Sequence, residues 1–542
     1  MKRHPSPLWH QTFDLLVCGG GVYGAWTAYD AALRGLKVAL IDQGDWANAT
    51  SSASSKLVHG GLRYLEHYEF KLVRKTLAER EMLMKVAPHR VWPLRFGVPV
   101  YAHSRVGALR LKLGLMLYDF LAVSQRAMMR HRFFSHRRFC ERFPFLNTKS
   151  LSSGFTYADA QTDDARLVLE LVSGAIDAGA VCVNYCTLMH VLENDGQASG
   201  AKIHDRLTDE EHEVRAHQIV YATGPWLATD SQDQVNCLLT RGIHLIMPAM
   251  LKNEALLLTA RSDGRVFFLI PWYGLTLLGT TDTAYQGSLD SIDVEKSEVQ
   301  YLLNAVNDYL RTPWTQDDII AAFAGVRVLK QDEQAHQASS AVTAAPSSVS
   351  RDWVLKTASN GVHYSIGGKL TSARQDAAQI VDQVCKQRNV QMSCTTLDRF
   401  FPWSPQHSKD FQDLWKNYPA WSAAIQERAV QLGVDSESAL WLIRRHGRNV
   451  PEILNAIELQ PALAGRIIPA LPFIDADLIF CAANEMVMHL DDLLRRRIPL
   501  LILAKLTEAD LHRIVDKISG ALHWDEIRRR QEIARCRTGP YF

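Results

Sequence analysis

"FDLLVCGGGVYGAWTAYDAALRGLKVALID", residues 13–42, is the stretch that decides the fold. Its apolar run 13–18 ends in three glycines and reads as a buried parallel strand. Residues 22–35 place small and apolar side chains at helical spacing and close on Gly35, a C-cap. "KVALID" (37–42) reads as the next strand, which completes a βαβ unit. Gly19, Gly21 and Gly24 stand in G-x-G-x-x-G order. The first allows the tight turn, the second lets a pyrophosphate approach the backbone, and the third lets helix and strand pack closely. The helix N-terminus turns its N–H groups toward the phosphates. Asp42 ends the second strand 23 residues after Gly19, where a carboxylate accepts hydrogen bonds from ribose hydroxyls. This pattern predicts a dinucleotide site without separating FAD from NAD. "YATGPW" (221–226), a strand running into Ala-Thr-Gly, favours FAD.

The rest of the chain sets the bounds. At 542 residues there is enough for a large core and two or three lobes. Charged residues make up 22% and the net charge is +2, so no electrostatic case for nucleic acid exists. The nine cysteines form no C-x-x-C pair and suggest neither a zinc site nor a disulfide framework; reduced thiols fit best. The 20 histidines show no H-E-x-x-H or H-x-H spacing, so no metal is expected. There is no G-x-S-x-G nucleophile elbow. No apolar h-region follows the first residues, and no run of about 18 apolar residues predicts a transmembrane helix.

Along the chain, 69–88 and 163–179 read as helices, and 188–221 as an antiparallel meander returning in "HQIVYATG". Strand-like runs fill 240–330. The Ala/Ser-rich 334–350 reads as a mobile surface loop, 361–387 as strand, glycine turn and helix, and 403 onward as nearly all helical. The pattern alone predicts an α/β chain with a dinucleotide-binding unit interleaved in sequence with a second unit, plus a helical C-terminal lobe.

"TSSASSKLVHGGLRYLEHYEF" (50–70) is the second informative stretch: small residues that let a backbone approach a bulky group, then cations. It closely resembles the segment after the fingerprint in FAD-dependent, quinone-linked glycerol-3-phosphate dehydrogenases. The resemblance continues in family order through "TDDARLVLE" (162–170), "ATGPW" (222–226), "GIHLIMP" (242–248), "FLIPW" (268–272), "LGTTD" (278–282), "AGVRVL" (324–329), "SRDWVL" (350–355) and "GGKLTSAR" (367–374). It is looser in the C-terminal helices, around 444–454 and 485–497. The resemblance implies that the units of this α/β chain are a glutathione-reductase-like FAD-binding domain interleaved with an α+β substrate domain, plus a helical C-terminal domain. The FAD-binding domain is placed at 12–90, 151–235 and 352–395, the substrate domain at 91–150 and 236–351, and the helical domain at 400–542.

The resemblance implies oxidation of sn-glycerol 3-phosphate to dihydroxyacetone phosphate by hydride transfer to FAD, with electrons passed to a membrane quinone. A glycerol-3-phosphate oxidase using O2, or action on another small phosphorylated alcohol, is the alternative. It assigns Arg63, Tyr64, Arg351 and Thr281 to substrate binding, and His244, Arg327 and Lys369 to catalysis. His244 is the expected general base, and Ile243 stands where the family often has a small polar residue. Arg327 is expected to hold the developing C2 alkoxide. Lys369, at a helix N-terminus, is expected near the flavin or the substrate. Thr280, Thr281 and Asp282 are expected along the same cavity. The cofactor contacts implied are Gly19, Gly21, Gly24, Asp42, Thr50, Ser51, Ser52, Ser55, Lys56, His59, Gly60, Gly61, Thr223, Gly224, Gly368, Lys369, Leu370 and Thr371.

A quinone acceptor implies a peripheral protein on the inner face of the cytoplasmic membrane, and a homodimer stays open. "SRVGALRLKLGLMLYDFLA" (104–122) reads either as a membrane-facing amphipathic helix or as a core helix with solvated basic positions. "RAMMRHRFFSHRR" (126–138) reads as a further basic surface, lipid-facing or solvated.

Overall fold

In the computed structural model, which describes residues 1–122, 129–230, 237–330, 352–405 and 413–538, the opening stretch forms β1 (Leu15–Cys18), α1 (Val22–Leu33) and β2 (Val38–Ile41). Every residue of β1 and β2 is buried, because the parallel sheet they form is covered on both faces. The sheet has six strands in the order Val354–Thr357, His363–Ile366, Ile219–Tyr221, β1, β2, Val181–Val183. Only its outermost pair, Val354–Thr357 with His363–Ile366, is antiparallel. Helices Asp164–Asp177 and Ala373–Gln387 pack on α1 at one face. The other face shares a core with the meander Cys186–Asn194, Gln197–Asp205 and Glu210–Ala216 through Leu16, Ile41, Ile203 and Val214.

The fingerprint glycines act by close approach. A Cβ on Gly24 would sit 1.8 Å from the Gly19 carbonyl oxygen, and one on Gly19 would sit 2.5 Å from the Ala222 carbonyl oxygen. Gly19 also takes a φ of +107°, a region side chains avoid. Strand, turn and helix therefore close to a distance no other residue permits.

The second sheet has ten strands. Helix α2 (Ala108–Leu121) packs on the sheet strand Leu151–Thr162 and on helix Phe70–Val86. The strand β3 (Cys237–Met247), next to one end of the sheet, pairs antiparallel with both β4 (Leu275–Gly279) and β5 (Ala321–Lys330). The strand Leu151–Thr162 belongs to this sheet, paired along its length with Val91–Tyr101 and at its end with Leu57–Val58. The sequence reading placed 151–162 in the FAD-binding domain, and the pairing corrects it. The switch between the two sheets falls at Asp163, which caps the next helix by accepting from the Arg166 N–H. A twelve-residue extended run followed by that cap gives no boundary signal at 151.

Residues 414–538 form the helical lobe. Its Leu490, Leu494 and Ile514 share one apolar cluster with Trp272, Tyr273 and Phe323 of the large sheet. Among the described residues, no helix is long and apolar enough to cross a membrane.

Candidate active site

A cavity of about 990 Å³ runs between the two sheets, from the Gly19–Gly21 turn to residues 280–282 just after β4 and to residues 325–329 of β5. At one end lies Asp42. It accepts from the Gly20 N–H at 2.6 Å and the Gly44 N–H at 2.8 Å, which holds the carboxylate against the turn. Burial nonetheless pushes its pKa up to about 6, opposed by those two N–H groups. Thr223 lines the same end, and its buried hydroxyl has no hydrogen-bond partner among the described residues. Ser51 accepts from the Val22 N–H at 2.9 Å, and Thr50 donates to the Val326 carbonyl, so the 50–55 segment is tied to the start of α1 and to β5.

At the other end stand Arg63, Tyr64, Thr281, Arg327 and Lys369. The Lys369 Nζ is buried with no hydrogen-bond partner among the described residues, and it lies 4.1 Å from the centre of the Tyr64 ring. The Lys369 N–H donates to the Tyr23 hydroxyl at 2.9 Å, and that hydroxyl donates to Asp376 at 2.8 Å. The helix start is therefore held while the ammonium stays available. Arg63 is exposed to the cavity and makes no ion pair among the described residues. Arg327 reaches Thr280 Oγ1 at 3.0 Å and Asp282 Oδ1 at 3.2 Å.

His244 sits behind this end. Its Nε2 lies 2.8 Å from the Ser55 hydroxyl, and its ring is buried and stacked on Phe323. Ser55 lines the cavity, whereas the imidazole does not. Burial, then the charges of Arg327 and Lys56, hold its pKa well below the usual histidine value. Ile243 points the opposite way, into the apolar cluster with Leu245 and Leu278, as strand alternation requires. Its departure from the family pattern therefore does not touch the imidazole.

The cavity brings together Gly19, Gly21, Asp42, Thr50, Ser51, Ser55, His59, Gly61, Thr223, Gly224, Gly368, Lys369, Leu370 and Thr371. Four expected contacts lie elsewhere. The Lys56 side chain turns away, its Nζ bonded to Asp164 and, at 2.7 Å, to the Ser52 carbonyl. Ser52 is buried and donates to the Ala49 carbonyl. Gly60 gives its N–H to the Tyr118 hydroxyl. Gly24 is under α1. Thr281 lines the cavity, yet its hydroxyl donates to Glu298 at 2.7 Å and accepts from the Ile243 N–H at 3.0 Å, which ties β3 to the β4 end and leaves no donor for a ligand. Arg351 and the 334–350 loop lie outside the described residues, as do 126–128 of the basic stretch. The sequence reading missed Tyr23, which anchors Lys369 from a variable position of the glycine fingerprint. No local signal marks it, because its partner is 346 residues away.

Residues 14–374 match the family described as FAD dependent oxidoreductase, and residues 412–529 match the C-terminal domain of alpha-glycerophosphate oxidase. The chain is 34% identical over 522 residues to the glycerol-3-phosphate dehydrogenase of Synechocystis sp., covering 92% of this chain and 90% of the relative. It is 32% identical to the aerobic glycerol-3-phosphate dehydrogenase of Bacillus subtilis, covering 95% and 92%. The solved structure of the glycerol-3-phosphate dehydrogenase from Bacillus halodurans complexed with FAD superposes with a TM-score of 0.77 at 27% identity, covering 99% of this chain and 96% of that one. The residues in hand fit such a cofactor: the glycine turn that a Cβ would fill, the Asp42 carboxylate, and the unpartnered Thr223 hydroxyl all face one continuous cavity.

Proposed function

The chain belongs to the FAD-dependent glycerol-3-phosphate dehydrogenase family, and from that premise we propose that it oxidises sn-glycerol 3-phosphate to dihydroxyacetone phosphate and delivers the electrons to a membrane quinone. FAD is the cofactor, and when bound it supplies the two-electron acceptor for the hydride leaving C2. The observation that carries the substrate reading is the buried, unpartnered Lys369 ammonium beside Arg63 at the far end of the cofactor cavity. A buried cation without a counterion is costly unless a ligand supplies the charge. A phosphate dianion does so, with Arg63 offering two parallel N–H bonds and Lys369 a point charge. Arg327, held by Thr280 and Asp282, presents its guanidinium where the C2 oxygen gains negative character. Proton removal from that oxygen falls to the Ser55–His244 end of the wall.

Two surface features support the quinone reading. Helix α2 exposes Leu109 (73%), Leu113, Met116 and Phe120 (84%) on one part of the surface, with Arg105 and Arg110 nearby, the composition of a segment that rests in a lipid interface. A second cavity of about 1050 Å³, lined by Val98, Leu113 and Leu117, shares Leu62, Arg63, Leu257 and Val266 with the first. An apolar acceptor entering from the lipid side would meet the reaction end there.

The test is anaerobic titration of the holoenzyme. Glycerol 3-phosphate is expected to bleach the flavin band stoichiometrically, glycerol and simple sugar phosphates are not, and a short-chain quinone is expected to restore it. Absence of bleaching by glycerol 3-phosphate contradicts the substrate reading. Restoration by O2 with stoichiometric peroxide, at a rate matching the quinone, favours an oxidase.

A further inference from the structure

The imidazole of His244 is clamped. Cross-strand pairing puts Gly279 on one side of it and Phe323 on the other. The Phe323 ring stacks at 5.0 Å with an interplanar angle of 14°. A Cβ on Gly279 would fall 2.3 Å from His244 Cδ2, so even the smallest side chain at 279 displaces the ring. The ring therefore has one outlet. Its Nδ1 is buried with no partner among the described residues, and its Nε2 meets only the Ser55 hydroxyl, at 2.8 Å. Of the pair, Ser55 alone lines the cavity.

We propose that Ser55 is the catalytic residue that touches the substrate hydroxyl, and that His244 acts through it as a positioning residue and proton acceptor. This rests on the dehydrogenase reading above. In the step, the substrate O–H bond breaks and its proton passes to Ser55 Oγ, while the Ser55 proton passes to His244 Nε2. The electron pair of the broken O–H bond becomes the second bond of the carbonyl as the C2–H bond breaks, and the C2–H pair leaves with the hydride, for which bound FAD would be the acceptor. The charge gained by the imidazole equals the charge lost at the substrate hydroxyl. Among the described residues, the charged groups around the ring are Arg327 and Lys56, the latter bonded to Asp164, and no carboxylate backs Nδ1. An imidazolium there is poorly stabilised. The proton therefore leaves the ring by the way it came, through the Ser55 hydroxyl to water in the cavity once product has gone, in contrast to a Ser-His-Asp triad, where an acid holds the charge.

The relay is tested in the holoenzyme with Ser55→Ala, Ser55→Thr, His244→Gln and the double variant S55A/H244Q. S55A and H244Q are each expected to slow anaerobic bleaching at least about 100-fold, with the substrate concentration for half-maximal rate changed less than about threefold. The double variant is expected to be no more than about threefold slower than the slower single, because the two act in one chain. S55T, which keeps the hydroxyl, is expected to recover to within about tenfold of the wild type. A readout independent of turnover is ¹⁵N NMR of the histidines. The imidazole signal absent from H244Q is expected to shift in S55A and to revert in S55T, and to stay neutral in the wild type at pH values where an exposed histidine is protonated. A wild type that bleaches alongside an S55A within threefold of it overturns the relay alone, as does a double variant slowed by the product of the two single losses. A wild type that glycerol 3-phosphate does not bleach overturns the dehydrogenase reading beneath it.

Discussion

Two buried regions of this molecule treat positive charge in opposite ways. Where the helical lobe meets the nucleotide-binding unit, five arginines each face a carboxylate. Arg90 bonds Glu170 at 2.8 Å, Arg166 bonds Glu485, Arg445 bonds Asp477, and Arg496 and Arg497 both bond Asp45. His446 adds a 2.6 Å contact to Asp477. Burial disfavours ionisation of Glu170 and Asp477, yet their cationic partners outweigh it and hold both pKa values at about 2. His446, Asp477 and Cys481 lie close enough together to resemble a metal site, but Arg445 already meets the charge of the aspartate. At the reaction end of the cavity, Lys369 and Arg63 have no carboxylate partner among the described residues. Matched charge fixes the lobe in place, and unmatched charge marks where an anion binds.

Breaking a pair in the matched region has the largest expected effect. Glu485→Ala leaves the buried Arg166 guanidinium uncompensated and is expected to cost about 3–5 kcal/mol, read as a fall in denaturation midpoint. Little or no loss would mean the region is not a charge-matched interface. The unmatched region predicts the opposite sign. Lys369→Met removes an uncompensated cation, and is expected to raise the stability of the FAD-free, substrate-free protein by about 1–3 kcal/mol. A loss of stability would show that Lys369 has a structural partner.

Asp42 sharpens the comparison through pH. Its pKa of about 6 lies above the unfolded carboxylate value, so in the FAD-free protein it binds a proton that the unfolded chain has released between about pH 4 and 6. Its contribution to apo stability is therefore present at low pH and is lost as pH rises through 6. FAD binding runs the other way, because ribose hydroxyls donate to the ionised form. FAD affinity is expected to be flat above pH 6 and to fall below it by up to about tenfold per pH unit. Isothermal titration in buffers of different ionisation enthalpy would detect the proton released. A pH-independent affinity between 5 and 7, or a drop that persists in Asp42→Asn, contradicts the assignment.

The smallest effect belongs to Thr281. Thr281→Val loses the bond to Glu298 and is expected to cost about 1 kcal/mol of stability with less than about a twofold change in the substrate concentration for half-maximal rate. A larger change there would return Thr281 to the substrate-contacting set.

The nucleotide end was legible because its signals are local. The β1–α1–β2 unit needs three glycines and one acid within 24 residues, and each constraint is a backbone approach or a strand end. The reaction end was legible only through family resemblance, since Arg63, His244, Arg327 and Lys369 are joined solely by the fold. What the chain hides is side-chain direction. Lys56 sits inside a run of cavity residues yet points at Asp164, 108 positions away. Ser55, one residue earlier, points into the cavity and carries the imidazole bond. Strand alternation explains Ile243, whose substitution for a small polar residue faces the core. The domain boundary near 151 failed for the same reason: pairing of Leu151–Thr162 with Val91–Tyr101 is a long-range fact.

The most direct test of the unmatched charge is the rate of anaerobic flavin reduction by glycerol 3-phosphate against glycerol, in the wild type and in Lys369→Met. If the cations at this end hold a phosphate, the wild type prefers glycerol 3-phosphate by at least about 1000-fold and Lys369→Met loses at least about 100-fold of that preference. A Lys369→Met enzyme that keeps the full preference would contradict the account.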